Sequence, residues 1–199
     1  MSFKLIARFE PLRRVLYSLA AWRVEEKIVE ISSHLKPGDR VLDVGAGNCV
    51  LSQTLRKRGY DVVPLDLRNL SFVDEIEPVI YDGEAIPFDD DSFDVALLIT
   101  VLHHAHKPDA VLAEVRRVAK WVIVIEEIYE NPFEKYFTYA IDSLFNLEFF
   151  DHPRSNRDDS GWKVAFQKLG LELRDAAYSR SLYFLRRVTY VLARAPKTG

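Results

Sequence analysis

The fold of this chain is decided by residues 40–67, which read RVLDVGAGNCVLSQTLRKRGYDVVPLDL from Arg40 to Leu67. An apolar, β-favouring run leads into a Gly-Ala-Gly turn, and Leu51 and Leu55 then recur at the spacing of one helix face. A second apolar run ends at Asp66. The stretch therefore predicts a strand, a glycine turn, a helix and a second strand, the βαβ unit at which open α/β folds bind nucleosides.

One missing glycine distinguishes this turn from a dinucleotide-binding turn. Gly45 and Gly47 permit positive φ and a close ligand approach. A G-x-G-x-x-G turn would place its third glycine at position 50, where this chain has Val50. Asp66 stands at the separation from the turn at which a second strand end offers a carboxylate to ribose hydroxyls. These features indicate a nucleoside without a pyrophosphate, for which S-adenosylmethionine is the obvious candidate.

Further motifs carry a resemblance to a known family. They are VLDVGAG at residues 41–47, YDGEAIPF at 81–88, DSFD at 91–94 before an apolar run, and LHH at 102–104. In this order and spacing they resemble the class I S-adenosylmethionine-dependent methyltransferases, in particular the ubiquinone/menaquinone-type (type 11) branch. The resemblance covers residues 36–127.

A Rossmann-like α/β fold is expected from the alternation of strands and helices and from this resemblance. It has a doubly wound, seven-stranded, mostly parallel sheet with one antiparallel strand and helices on both faces. The predicted strands are Arg40–Val44, Asp61–Leu65, Val79–Tyr81, Asp94–Thr100, Trp121–Glu126, Leu171–Ala177 and Arg187–Arg194. The last two pair antiparallel, because their connection is too short for a crossover helix.

The resemblance implies a cofactor site at the ends of the first four strands. Asp43 orders the turn, Asp66 accepts hydrogen bonds from the ribose, and Asp82 receives the adenine amino group. The full set of implied residues is Asp43, Gly45, Ala46, Gly47, Asn48, Asp66, Leu67, Asp82, Gly83, Glu84, Thr100, Val101 and His104. His103 and His104 are expected at the rim of the site.

Methyl transfer is a direct displacement, so positioning supplies much of the acceleration and no covalent intermediate is expected. An acceptor hydroxyl would need a base. The candidates for this role are His104, His152, Glu126 and Glu127, and none is assigned. No metal site is expected, because His103, His104 and His106 lack a cysteine or a Glu-x-x-His helical pair.

The length, hydrophobic content and net charge of the chain limit the kinds of molecule that it is expected to bind. A chain of 199 residues that is 48% hydrophobic fits one domain, and a net charge of −3 gives no general attraction to nucleic acid. A small-molecule acceptor is therefore expected. A single cysteine, Cys49, fits a reducing compartment, and no apolar run is long enough to cross a bilayer. The protein is expected in the cytoplasm.

Within the single domain, four parts are expected: an N-terminal helical cover (1–36), a cofactor-binding core (37–127), an insertion (130–160), and a C-terminal helix with antiparallel strands (161–199). Pro11 is expected to break or restart the first helix, and a second helix runs from Trp22 to Leu35. Residues 1–23 carry five basic residues against one acidic residue. Contact with a membrane surface is the less favoured alternative for this segment.

The insertion is rich in aromatic residues, and a helix is predicted from Pro132 to Leu147. It follows the fifth strand, above the edge of the sheet where ligands bind. We therefore expect it to cover a substrate, which favours an aromatic or hydrophobic acceptor. Arg154 and Arg157 are candidates for holding an acidic group of that acceptor.

Two rival functions stay open on the sequence. A nicotinamide-dependent oxidoreductase shares the first βαβ unit, although Val50 and the motif after Tyr81 argue against it. A non-catalytic, methyltransferase-like cofactor-binding protein, with or without membrane association, would carry the same binding residues. The methyltransferase features are compatible with carbon, oxygen, nitrogen or sulfur as the attacked atom.

Overall fold

The computed structural model describes residues 10–129, 155, 157–181 and 185–195. It contains a seven-stranded sheet with β1 Arg40–Val44, β2 Asp61–Asp66, β3 Val79–Ile80, β4 Phe93–Ile99, β5 Ala119–Ile128, β6 Leu171–Ser181 and β7 Leu185–Arg194. The α-helices within these residues are α1 Glu10–Ile31, α2 Val50–Lys57, α3 Pro108–Val118 and α4 Asp159–Lys168. Short 3-10 helices span Ser32–His34 and Leu102–His104. The predicted helix at 132–147, His152 and Arg154 lie outside the described residues.

The sheet has the strand order β3-β2-β1-β4-β5-β7-β6. The pairs among the first five strands are parallel, and β7 runs antiparallel to both β5 and β6. This arrangement confirms the predicted doubly wound sheet with a single reversed strand. It also brings the carboxyl ends of β1, β2, β3, β4 and β5 to one edge, on either side of the point where the strand order reverses, which is where α/β folds bind ligands.

Both faces of the sheet are apolar, as expected for buried parallel strands. One face packs against α1 and α2, whose buried residues include Ile28 and Leu55. The other face packs against α3 and α4, where Trp162 and Phe166 are buried. The two helical layers leave the carboxyl edge of the sheet to the loops, so these loops form the site.

The N-terminal region differs from its prediction. Residues from Glu10 to Ile31 form one continuous helix instead of two separate helices. Pro11 lies in the first turn, where a missing N–H disrupts no intrahelical hydrogen bond. Tyr17 donates a 2.5 Å hydrogen bond to Gln53 and Glu25 pairs with Arg58, so this helix is attached to α2 along its length.

Candidate functional site

The glycine turn after β1 is held between two neighbouring strands. The amides of Gly45 and Ala46 donate to the carbonyl of Leu65 at 2.8 and 3.1 Å, which ties the turn to β2. Gly45 has φ +70°, and a Cβ atom there would lie 2.5 Å from a methyl group of Val101, beyond the end of β4. Only glycine fits this position, so the turn lies directly against the end of β4.

Asp66, at the end of β2, points its carboxylate at the glycine turn. Its Oδ2 accepts a 2.7 Å hydrogen bond from the amide of Gly47, and its Oδ1 accepts one of 3.1 Å from the amide of Arg68. A carboxylate offers about four lone-pair sites. The two amides therefore fix the orientation of Asp66 while leaving it able to accept from a ligand.

Asp82 follows β3, next to the end of β2, because the amide of Tyr81 donates to the carbonyl of Asp66 at 3.1 Å. The Oδ1 atom of Asp82 accepts from the amides of Glu84 and Ala85 at 2.8 and 3.1 Å. These bonds, the one from Glu84 first, lower the pKa of Asp82. The side chain is thus a fixed anion at the exposed surface of the turn.

Leu67 gives this part of the edge an apolar wall. Its side chain is 54% exposed, although leucine is among the residues that are usually buried. A Cβ atom on Gly83 would lie 3.1 Å from its Cδ2 atom. Leu67 and Gly83 are therefore in contact, one residue beyond Asp66 and Asp82 respectively. The structure brings these four predicted site residues together.

Asp43 and Asn48 support the turn from within the protein. Asp43 is 2% exposed, and burial raises its pKa to about 6 although Ser52 donates a 2.5 Å hydrogen bond to it. Asn48 accepts from the amide of Val50 through its side chain and from Phe72 through its carbonyl. Both side chains thus hold the loop in shape through bonds within the protein.

The loop after β4 is organised by a buried carboxylate on β5. The Oε1 atom of Glu126 accepts from the amides of Val101 and Leu102 at 3.0 and 2.7 Å, and its Oε2 lies 2.6 Å from Nδ1 of His103. The sequence predicts His103 at the rim, but this residue is 3% exposed, because its imidazole is the partner of the carboxylate. Thr100 precedes the loop with φ +57°, a conformation that is uncommon for a threonine.

The four candidate bases are therefore placed differently. Glu126 is fully buried and its two oxygens are engaged by the loop, whereas Glu127 is half-buried. His104 is half-buried, with its ring centroid 4.1 Å from that of His103. His152 lies outside the described residues. Among the described candidates, His104 combines partial exposure with a position at the end of β4.

Sequence reasoning did not single out Lys27, which lies beside the candidate site. It reaches from α1 to the end of β4, where its Nζ donates to Oγ1 of Thr100 at 3.3 Å. Burial lowers its pKa to about 8, with the charges of Arg23 and Arg187 adding to the effect. The sequence does contain a signal for Lys27. This lysine lies on the same helix face as the buried residues Val24, Ile28 and Ile31, and a charged residue on a buried face is unusual.

Arg157, a candidate for binding an acidic acceptor, is already engaged. Its guanidinium pairs with Asp109 at 2.8 Å and lies 5.1 Å from the ring centroid of Trp162. These contacts attach the start of α4 to α3. Arg157 therefore stabilises the contact between α3 and α4 in this structure.

Metal-binding and membrane-spanning features are both absent from the described part of the chain. It contains no group of three His, Cys, Asp or Glu residues placed to hold a metal ion. None of its helices has the length and apolar character needed to cross a membrane.

Comparisons with known proteins agree with this geometry. Residues 42–121 match the family described as "Methyltransferase domain". The demethylmenaquinone methyltransferase of Renibacterium salmoninarum is 37% identical over 91 residues, which are 42% of this chain and 38% of that protein. The ubiquinone/menaquinone biosynthesis C-methyltransferase UbiE of Xanthomonas oryzae is 32% identical over 133 residues, or 59% and 53% of the two chains. The matched part of this chain thus spans 38% and 53% of the length of these two relatives.

The fold comparison extends over more of the chain. A SAM-dependent methyltransferase structure from Methanosarcina mazei has a TM-score of 0.66 at 18% identity, covering 83% of this chain and 97% of that one. Such low identity establishes the fold alone. The sequence match covers the glycine turn, Asp66, Asp82 and the loop after β4. Over residues 42–121, the chain is therefore similar to the methyltransferase domain family, and its relatives include methyltransferases named for ubiquinone and menaquinone biosynthesis.

Proposed function

We propose that this protein is an S-adenosylmethionine-dependent methyltransferase that acts on a small, hydrophobic or aromatic acceptor by direct displacement. The observation that carries the proposal is the pair of oriented carboxylates, Asp66 and Asp82, on either side of the exposed Leu67. Such an arrangement matches the sugar hydroxyls, the amino group and the apolar ring face of an adenosyl group. The quinone-related names of the sequence relatives support an acceptor of this class.

The residues present fit the donor. Oδ2 of Asp66 is held by Gly47, whereas the amides of Glu84 and Ala85 both donate to Oδ1 of Asp82 and leave its Oδ2 to a ligand. A Cβ atom on Gly47 would meet nothing closer than 3.9 Å, so its backbone is open to a ligand. Asp66 would hold the ribose, Asp82 the adenine amino group and Leu67 the ring. Lys27 would supply positive charge near Thr100, suited to the carboxylate of the methionine part.

The bound cofactor would supply an electrophilic methyl group on its sulfonium. The protein's part is to place an acceptor in line with it and to exclude water, and positioning of this kind can supply much of a rate enhancement. Glu126 fixes the amides of Val101 and Leu102 and so sets the shape of the loop at the end of β4. His104, which is half-buried at this edge, is the described candidate for taking a proton from an acceptor hydroxyl.

The proposal also concerns location. It places the enzyme in the cytoplasm, which is supported by the free, buried thiol of Cys49 as the chain's single cysteine. Proteins of oxidising compartments commonly carry disulfides instead.

Calorimetric titration of the protein with S-adenosylmethionine, S-adenosylhomocysteine and NAD tests the donor. We expect binding of the first two, no binding of NAD, and a loss of at least about tenfold in affinity for Asp66→Ala, since a charge-assisted hydrogen bond is worth roughly 1.5–3 kcal/mol. Asp61→Ala is the matched control, because Asp61 lies at the opposite end of the same strand. Binding of NAD alone, or an unchanged affinity in Asp66→Ala, would refute the assignment.

Turnover is a separate question from binding. Release of S-adenosylhomocysteine in the presence of a panel of hydroxylated aromatic acceptors measures it directly. Tight donor binding without release from any acceptor would favour the non-catalytic alternative.

A further inference from the structure

Helix α1 has apolar side chains on two of its faces. On the inner face, Val24, Ile28 and Ile31 are buried in the core that α1 shares with α2 and the sheet. On the outer face, four large apolar residues are between 56% and 74% exposed, namely Val15, Leu19, Trp22 and Val29. A single exposed apolar residue is ordinary, but a contiguous apolar patch commonly marks an interaction site.

The four exposed residues lie on one stripe of the helix. Leu19 follows Val15 by four residues, Trp22 follows Leu19 by three, and Val29 follows Trp22 by seven. Intervals of three and four residues keep side chains on one side of a helix, and they form the seam along which two helices pack. The stripe is about 21 Å long at 1.5 Å per residue. It therefore matches another helix of similar length.

The two ends of α1 carry opposite charge. Residues 10–23 contain three basic residues and one acidic residue, whereas residues 24–31 contain three acidic residues and one basic residue. The last turn of the helix has no basic side chain. This distribution opposes the helix macrodipole, which favours acidic side chains near the N-terminus and basic side chains near the C-terminus. A second α1 helix in antiparallel orientation would place opposite charge beside each end.

Glu26 distinguishes between the possible occupants of the outer face. It lies on the stripe between Trp22 and Val29, is exposed, and forms no hydrogen bond or ion pair with the described residues. On a lipid surface this carboxylate would move from water towards hydrocarbon, which is costly. In an antiparallel pair of α1 helices it would face the basic half of the partner helix. The stripe therefore fits a second copy of this chain better than a membrane.

We propose that α1 is a self-association surface, on which a second copy of this chain packs its own α1 in antiparallel orientation. A two-fold axis near Trp22 packs this residue against Trp22 of the partner subunit, and tryptophan is often a main contributor to binding energy at an interface. The same axis brings Val15 of one copy to Val29 of the other. Two-fold dimers are the commonest oligomers. The stripe contains none of the proposed cofactor-binding residues, so the inference is independent of the proposed function.

The expected association is weak. A helix of 22 residues is about 33 Å long and roughly 10 Å wide, so two such helices share less surface than the roughly 1,200–2,000 Å² that stable complexes bury. We therefore expect a dissociation constant in the micromolar range or above. Self-association has to be measured as a function of protein concentration.

Sedimentation equilibrium of the full chain, from low micromolar to near-millimolar concentration, tests the proposal. The average mass should rise from the 23.0 kDa of one chain towards twice that value. Val15→Lys and Val29→Lys should each weaken association by about tenfold or more, because each places a charge in an apolar contact. Val164→Lys is the matched control, since Val164 is an exposed valine on α4, outside the stripe. It should leave association unchanged.

Cross-linking with a short bifunctional thiol reagent determines the orientation of the two helices. Val15→Cys protein should cross-link to Val29→Cys protein when the two are mixed. Neither should cross-link to itself, because each position is seven residues from the proposed axis, which separates its two copies by about 21 Å. The native Cys49 is buried and contributes little background.

A chain that stays monomeric over the whole concentration range would overturn the proposal, as would a dimer that both lysine variants leave unchanged. Cross-linking of Val15→Cys to itself would show parallel helices and contradict the antiparallel arrangement. Flotation with vesicles of anionic phospholipid examines the membrane alternative. Vesicle binding that is lost in Val15→Lys, without any self-association of the parent protein, would assign the stripe to a lipid surface instead. Thermal melting at low concentration verifies that each variant is folded.

Discussion

The Nδ1 atom of His103 lies 2.6 Å from Oε2 of Glu126, and both side chains are buried under the edge of the sheet. The other oxygen of Glu126 accepts from two consecutive amides of the loop after β4. One carboxylate on β5 thus fixes both the backbone and a side chain at the end of the neighbouring strand. Its removal would affect stability and the site together.

Glu126→Ala is expected to destabilise the fold by about 2–4 kcal/mol, because it leaves buried donors without acceptors. Glu126→Gln should cost clearly less, since its amide oxygen can still accept from Val101 and Leu102. Chemical denaturation measures both values. Glu77→Ala, at an exposed position in the loop before β3, is the control and should cost less than about 1 kcal/mol. Similar losses in Glu126→Ala and Glu77→Ala would contradict this account.

Gly45→Ala is expected to remove donor binding and destabilise the protein. Two penalties combine: a positive φ, worth about 1–2 kcal/mol, and a Cβ atom that would lie 2.5 Å from Val101. Gly59→Ala separates them, because Gly59 has φ +92° and a Cβ atom there would meet nothing within 4 Å. Denaturation of both variants should show the larger loss for Gly45.

A second substitution tests the steric part of that prediction. Val101→Ala removes the methyl groups that the new Cβ would meet, so it should recover part of the loss in Gly45→Ala. A double-mutant cycle of positions 45 and 101 gives this coupling energy. Strict additivity of the two substitutions would mean that backbone strain alone accounts for the loss.

The core of the fold was predictable because its signals are local. The apolar run, the glycine turn and the spacing of Leu51 and Leu55 specify β1, α2 and β2, and the structure places all three where the sequence predicts them. Short connections likewise predict the antiparallel pairing of β6 and β7. In these segments the hydrophobic spacing alone specifies the secondary structure, and contacts with distant parts of the chain do not change it.

The site was less predictable where pairing partners are distant in sequence. Nothing local to His103 shows that it lies under the edge of the sheet, because its partner Glu126 is on another strand. The same holds for Lys27, which reaches the end of β4 from the first helix. The separate second helix predicted from Trp22 is wrong for a different reason, since the chain continues as one helix from Glu10 to Ile31, with Pro11 in the first turn, where a proline is tolerated.

Asp43 should make stability depend on pH. Burial raises its pKa from 3.8 to about 6, so the folded state holds a proton that the unfolded state has lost between these values. The stability from this proton is present below pH 4 and is lost as pH rises through 6. In Asp43→Asn this loss is absent. Its stability relative to the parent protein should therefore rise by about 2–3 kcal/mol between pH 4 and pH 7.

Denaturation at a series of pH values checks that change. Val29→Ala, at an exposed position on α1, removes no titratable group and is the control, so its difference from the parent should stay nearly constant. If the stability of Asp43→Asn relative to the parent protein instead decreased from pH 4 to pH 7, folding would stabilise the Asp43 anion. That result is opposite to the direction derived from burial of Asp43.

Glu30→Ala is expected to destabilise the attachment of α1 to the hairpin of β6 and β7. Glu30 accepts from the buried guanidinium of Arg187 at 2.6 Å and from Thr189 at 3.0 Å, so its removal leaves a buried cation unpaired. Breaking such a pair costs about 3–5 kcal/mol. Glu26→Ala, an exposed position one turn earlier on α1, should melt within a few degrees of the parent protein. Equal melting temperatures for Glu30→Ala and Glu26→Ala would show that the ion pair does not hold α1 to the sheet. The same conclusion would follow if the stability loss of Glu30→Ala disappeared at high salt, as it does for an exposed ion pair.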